Sequence, residues 1–167
     1  MKARRLFFGA VIAFDLLFLA YVLGPRVAPV SMDVTLPDLQ LSAANVDAYL
    51  TAKEATFPVK RGNESRVIWA AEPGVQTPYS VVYLHGWSAS AEEGNPVHRN
   101  IAADLGANLY LPRLEGHGLD EENPLLTITA DALIDSAKEA LAIAQLLGER
   151  VIIIATSNGG ALALHLA

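Results

Sequence analysis

The amino-acid sequence predicts an α/β domain, a mostly parallel sheet flanked by helices, set behind an N-terminal apolar segment of a different kind. Three observations carry that expectation. Residues 79–84, 107–111 and 150–155 are short, nearly apolar runs, the pattern of strands covered on both faces. Between them, apolar residues recur at helical spacing. Glycine and proline mark the joints, so the order is strand, helix, strand, helix, strand, helix. Right-handed crossovers turn that order into a layered domain.

Taken in order, the first 24 residues stand apart. Lys2, Arg4 and Arg5 precede an apolar run over 6–24, long enough to cross a bilayer as a helix. The basic flank places that end in the cytoplasm and the rest of the chain on the far side of an inner or plasma membrane, as a single-pass anchor. A cleaved signal peptide, with secretion, is the alternative. The small-residue sites near Ala20 and at 27–30 are poor cleavage candidates. Asp15 is read as one acid tolerated in a very apolar helix.

Residues 25–65 are read as a stalk with an N-terminal helix, and 66–167 as the main domain. The three prolines between Gly24 and Pro37 give an extended linker. A helix is expected over 39–54, with Leu39, Val46, Tyr49 and Leu50 on one face. Residues 55–63 are loop, 66–71 a short strand, and 72–78 a turn region. Asn95 is the expected N-cap and Pro96 the first residue of the next helix, which ends at Gly106. After the strand at 107–111 comes a loop over 113–124. Thr129 caps a helix in which Leu133, Ala137, Ala140, Leu141, Ala144 and Leu147 repeat at helical spacing and which closes at Gly148. The strand at 150–155 leads into a helix from Gly159.

The chain has 167 residues, a net charge of −6 and no cysteine. That length suits one domain with a real core. The mild acidity argues against a nucleic-acid surface, and no disulfide or cysteine-bound metal is possible. No G-x-G-x-x-G follows a strand, and no G-x-x-x-x-G-K occurs.

The stretch VIIIATSNGG at 151–160 sets Ser157 between an apolar strand and two glycines. In a strand–turn–helix elbow such a serine is held at the tip with its hydroxyl exposed, and small neighbours let the two elements come close. Alanine at 155 stands where the usual pattern has glycine. An ordinary helix cap is the plainer reading of a serine before glycines. His85, Gly86 and Trp87 directly follow the strand ending at Leu84. Gly86 lets the chain turn there, so that the backbone N–H of Trp87 points at the ground above Ser157. With the N–H of Asn158 it makes two donors for a carbonyl oxygen that gains charge. Otherwise His85 is a polar loop residue and Trp87 a core aromatic. Even in the functional case His85 orients the loop and moves no proton.

The stretches VYLHGWSAS at 82–90, GANLYLPRLEGHG at 106–118 and IATSNGG at 154–160 resemble an α/β-hydrolase of the carboxylesterase and lipase branch. The resemblance covers about residues 66–167 and leaves out the apolar segment and the stalk. It implies Ser157 as nucleophile and Trp87 and Asn158 as oxyanion donors. It places Gly116, His117 and Gly118 in a loop that is mainly architectural and lines the pocket with Ser88. The implied reaction is hydrolysis of a small or lipid-like ester through an acyl-enzyme, with no cofactor and no metal. A peptidase or a C–C bond hydrolase uses the same groups, and a membrane-tethered binding module without catalysis is a further alternative.

In that fold the acid and then the histidine follow the serine. Nine residues follow Asn158, none acidic. His165, two helical turns on, stands roughly 12 Å away along the axis, too far to be the base. His85, His98 and His117 come too early in the chain. The sequence therefore reads as the N-terminal part of such an enzyme, truncated after the elbow and expected to be inactive alone.

Overall fold

The structure, a computed structural model, describes residues 2–26 and 29–167. Val27 and Ala28, part of the weak cleavage candidate, lie outside the described residues. The chain divides after Ser31 into two units.

In the first unit, helix α1 spans Lys2–Leu23. Its Leu6–Leu23 window has mean hydropathy 2.4 and no buried residue. Its 22 residues make a rod of about 33 Å, enough for a hydrocarbon core. Phe14 and Phe18 stack along it, with ring centroids 6.5 Å apart. It is a candidate membrane-spanning helix.

The second unit is a small α/β domain with a four-stranded sheet. Its strands are β1 (Arg66–Ile68), β2 (Thr77–Leu84), β3 (Asn108–Leu111) and β4 (Gly148–Ala155). Their order is β1-β3-β2-β4, with β1 antiparallel to β3 and the other pairs parallel. Helices α2 (Val46–Glu54), α3 (Val97–Asp104), α4 (Ala130–Leu147) and α5 (Asn158–Leu166) complete it. Successive side chains of β2 face opposite ways. Val82 and Leu84 join one cluster with Val46, Leu50, Ala140, Ile143 and Leu162. Val81 and Tyr83 join another with Ala102 and Leu109. That double covering is why 79–84 has no polar face. From β2 the chain passes to β3 on one side, then returns across the sheet to β4 on the other. The strand order thus reverses at the carboxyl end of β2, where open α/β sheets leave a crevice.

Local chemistry accounts for the joints. The Thr129 side chain accepts the N–H of Ala132 and caps α4 as expected. Gly106 takes φ 57 after α3, with its N–H bonded to Ala103 and that of Ala107 to Ala102. This is a Schellman close. Gly148 ends α4 and also begins β4, because a Cβ there would stand 2.3 Å from the Ser80 nitrogen. In α4, Ile134 and Ile143 are buried, while Leu141 is only half-buried.

Three expectations are corrected. The helix proposed over 39–54 starts at a 3-10 turn, Ala43–Asn45, because Gln40 has φ 49 and breaks any continuous helix before it. Leu39 still packs on the core, but from outside the helix. The first strand stops at Ile68, not 71, because the Ala70 N–H goes to the Asn108 side chain and leaves the ladder. That buried amide also donates to Val75 and Leu147, so it gathers three chain segments. The next helix starts at Val97. Residues 91–94 form a 3-10 turn that the Ser90 hydroxyl caps, and Asn95 is extended, as a residue before proline prefers. Residues 29–42 carry no helix or strand, in keeping with an extended segment. From Met32 the chain belongs to the second unit, where the Asp33 carboxylate lies 3.8 Å from the buried Lys138 ammonium.

Candidate functional site

Two segments meet where the strand order reverses: the loop after β2 and the junction of β4 with α5. At the junction the Thr156 N–H still bonds Leu84 O at 3.1 Å, so the pairing with β2 runs to its last residue. Ser157 then takes φ 50 and ψ −114, is exposed, and begins α5. Positive φ on a serine is uncommon and costs of order 1 kcal/mol or more. A neighbouring contact holds it there. A Cβ on Gly159 would stand 2.1 Å from Leu84 O and 2.7 Å from His85 O, so only glycine lets α5 begin this close to β2.

The loop after β2 closes over the same point. The Cβ position of Gly86 lies 3.5 Å from Ser157 Cβ. The N–H groups of Gly159, Gly160 and Ala161 bond back to Thr156 and Ser157. Those of Trp87 and Asn158 carry no hydrogen bond among the described residues. Two free donors therefore belong to the segments that flank the Ser157 hydroxyl. Trp87 is half-exposed and packs edge-on against His117, 5.5 Å between centroids, so it is not a core aromatic.

His85 and His117 hold this loop in place reciprocally. The Leu114 N–H donates to His85 Nε2 at 3.2 Å, and His85 Nδ1–H donates to Gly86 O at 2.9 Å. The Ser88 N–H donates to His117 Nε2 at 3.1 Å, and His117 Nδ1–H donates to Glu115 O at 2.8 Å. Each imidazole accepts a backbone donor from the other's loop, with the rings 4.9 Å apart and buried. Accepting at Nε2 requires the neutral ring. Burial first, then the neighbouring Arg113, pushes the pKa of His117 below its ordinary value; the carbonyls of Glu115 and Leu114 and the Glu115 carboxylate oppose this. Burial also lowers that of His85, helped by His117 and Arg113 and opposed by Gly86 O and Glu93.

A pH dependence follows from the neutral rings. The unfolded imidazole binds a proton near 6.5, the folded one only at lower pH. Between those values the unfolded chain holds more protons, so stability is full above pH 6.5 and falls as pH drops. The slope is at most about 1.4 kcal/mol per pH unit for each ring. Urea midpoints measured from pH 8 to 5 are expected to fall below neutrality, with a shallower slope in His117→Asn. An unchanged slope in that variant would exclude His117 as a contributor.

Two groups that the sequence did not single out join the site. Glu93 accepts the Gly86 N–H at 2.8 Å and the Tyr83 hydroxyl at 3.1 Å, and Tyr83 shares a 2.9 Å hydrogen bond with Thr156 Oγ1. This chain of bonds ties the loop after β2 to the residue before Ser157. Nothing in an ordinary polar stretch such as 91–95 marks it in advance. The loop at 113–118 is anchored through Arg113, whose guanidinium meets Glu54 at 2.7 Å and His117 O at 3.2 Å.

The Ser157 hydroxyl has no hydrogen bond to an imidazole or carboxylate among the described residues. His165 lies on α5, and its Nε2 is buried without a partner. No three His, Asp or Glu side chains come together as a metal site requires among the described residues. Compared with known proteins, the chain matches no protein-family model and no curated sequence.

Proposed function

We propose that the second unit performs serine-dependent hydrolysis of carboxylic esters. The observation that carries this reading is Ser157 itself: exposed, at φ 50, between β4 and α5, with Gly86 packed against it. Its conformation and surroundings support reading it as a nucleophile elbow, as does the resemblance of the three sequence stretches near it to α/β-hydrolases. In the proposed reaction Ser157 Oγ attacks the ester carbonyl carbon as its proton passes to a base. The carbonyl oxygen becomes an oxyanion and takes the N–H groups of Trp87 and Asn158. Collapse expels the alcohol, which regains a proton, and leaves the acyl group on Ser157. Water then attacks the acyl-enzyme and releases the acid.

No imidazole reaches Ser157 among the described residues, and a positioned base contributes about 10²–10⁴-fold. On this reading the 167-residue chain turns over short p-nitrophenyl esters poorly and reacts slowly with a fluorophosphonate. Added imidazole is a stand-in base. It is expected to speed labelling of the detergent-solubilised chain, with the label on the peptide that carries Ser157 and none on Ser157→Ala. Labelling that ignores both imidazole and Ser157→Ala would sink the proposal. The missing contact to Ser157 is also the one observation that favours a binding module without catalysis, and that module would show no imidazole effect.

The same reading places α1 across an inner or plasma membrane, with Lys2, Arg4 and Arg5 on the cytoplasmic side and the α/β domain opposite. Its support is the apolar Leu6–Leu23 window, in which Asp15 is the one charged residue, and the one-sided basic flank. Reporters that work on only one side of the membrane, fused at Ala167, are expected to be active outside the cytoplasm. Strong cytoplasmic activity would reverse the orientation.

A further inference from the structure

Beside the loop after β2 lies a second feature that the proposed reaction does not use. It is a cavity of about 340 Å³ lined in part by Ser88. Four segments build it: Lys60 and Asn63 from the turn after α2, Ser88 to Ser90 from the loop after β2, the loop from Gly116 to Leu119, and the apolar Pro124 and Leu125. The bridge between Val59 and Leu119, and the 2.8 Å bond from the Lys60 N–H to Gly118 O, fix the first of these against the third. The bond from Ser88 N–H to His117 fixes the second.

The chemistry of the lining is selective. The chain carries 18 acidic residues against 12 basic ones, yet no acidic residue lines this cavity and one lysine does. The Lys60 ammonium is in no ion pair or side-chain hydrogen bond among the described residues. Two serine hydroxyls and an amide supply neutral donors around it. A cation with hydroxyl and amide donors in a concave site matches an anionic, oxygen-rich group. Such a group would be misplaced on the rest of a surface with net charge −6.

Position connects the cavity to the nucleophile. Gly86 is packed against Ser157, and Ser88 is two residues further along, a span of at most about 7 Å. An ester carbonyl at Ser157 therefore has the cavity within reach of a short substituent. We infer that this cavity is a subsite for a phosphate or carboxylate group of the substrate, with Lys60 its charge partner and Ser88, Ser90 and Asn63 its hydrogen-bond donors. The inference rests on Ser157 as the nucleophile for its place in the reaction, but not for the binding itself. It narrows the substrate class to esters with an anionic headgroup a few bonds from the scissile carbonyl.

Binding is testable without turnover. The full chain in neutral detergent micelles is titrated with sn-glycerol 3-phosphate, inorganic phosphate and glycerol while backbone amide shifts are followed. Glycerol phosphate is expected to move the amides of Ser88, Ser90, Gly116 and Gly118 saturably, and more tightly than inorganic phosphate, because its hydroxyls reach the serines and Asn63. Lys60→Met is expected to weaken binding about ten- to a hundredfold, as loss of a charge-assisted hydrogen bond does. Ser157→Ala is expected to leave it unchanged. Equal binding of glycerol overturns the anion assignment. Equal or tighter binding of inorganic phosphate overturns the substrate-subsite assignment. Retained affinity in Lys60→Met, or shifts spread over the surface, overturns the site itself. Binding that passes these tests beside absent Ser157 labelling would remove the esterase reading and keep an anion-binding site.

Discussion

Gly159→Ala is expected to cost about 4 kcal/mol or more, or to prevent folding, while Gly160→Ala at the next position is neutral or stabilising. The contrast is set by backbone geometry. A methyl on Gly159 would stand 2.1 Å from Leu84 O, 2.6 Å from Leu84 C and 2.7 Å from His85 O. All three are main-chain atoms at the end of a buried central strand, so no side chain can swing aside to relieve the clash. Either α5 or β2 must move, and moving β2 disturbs two core clusters at once. Losses of this size come from a short list of causes, of which overpacking is one. A methyl on Gly160 meets nothing within 4 Å, and alanine there removes the conformational freedom of a glycine inside α5, worth about 0.5–1 kcal/mol. Urea denaturation of the two variants, with far-UV circular dichroism to check folding, measures both. Equal effects would mean that the close approach of α5 to β2 is not what constrains this junction.

The sharp junction of β4 with α5 was legible in the sequence because its causes are local. An apolar strand, a serine and two small residues define it within a single ten-residue stretch, and Ser157 has the positive φ expected of it. Strands β2 and β3 were legible for a related reason: burial on both faces favours a nearly apolar run, and β4 carries a run of the same kind although its residues after Arg150 are only half-buried. So was α4, where Thr129 caps the helix and glycine follows it. The boundaries that slipped depend on distant partners. Strand β1 ends at Ile68 because Asn108, 38 residues beyond Ala70, takes its next backbone donor. Residues 32–42 look like linker in composition and take no helix or strand, and Lys138 on α4 offers Asp33 a buried cation that composition does not announce.

The supports of the site were hidden in the same way. Glu93 and Tyr83 fasten the loop after β2 to Thr156, but neither residue type at its position signals that role. The reciprocal bonds of His85 and His117 needed both loops to be placed before they could be seen. What the sequence offered was two histidines beside glycines. The fold turned them into a pair that locks the chain on either side of Trp87.

Glu54→Ala is expected to cost about 3–5 kcal/mol, the characteristic loss when one partner of a buried ion pair is removed. Glu54 and Arg113 have side chains 7% and 4% exposed and meet at 2.7 Å. The other Glu54 oxygen accepts the Ser65 hydroxyl at 2.7 Å, and Ser65 in turn accepts the Arg113 N–H at 2.9 Å. Removing the carboxylate therefore leaves a buried guanidinium without its counter-charge and a buried hydroxyl without its acceptor. Arg113 would keep only His117 O and the face of Phe57, 4.8 Å from its ring centroid. The consequence reaches the site, because Arg113 anchors the loop that carries His117. Below the unfolding transition, the bonded amides of Ser88 and His117 are expected to exchange faster in Glu54→Ala. Glu54→Met with Arg113→Met is expected to cost less than Glu54→Ala alone, since an apolar pair leaves no charge stranded. Denaturant titration of the three proteins decides it. A loss below about 1 kcal/mol in Glu54→Ala would mean that water reaches Arg113 and that the ion pair does not hold the loop.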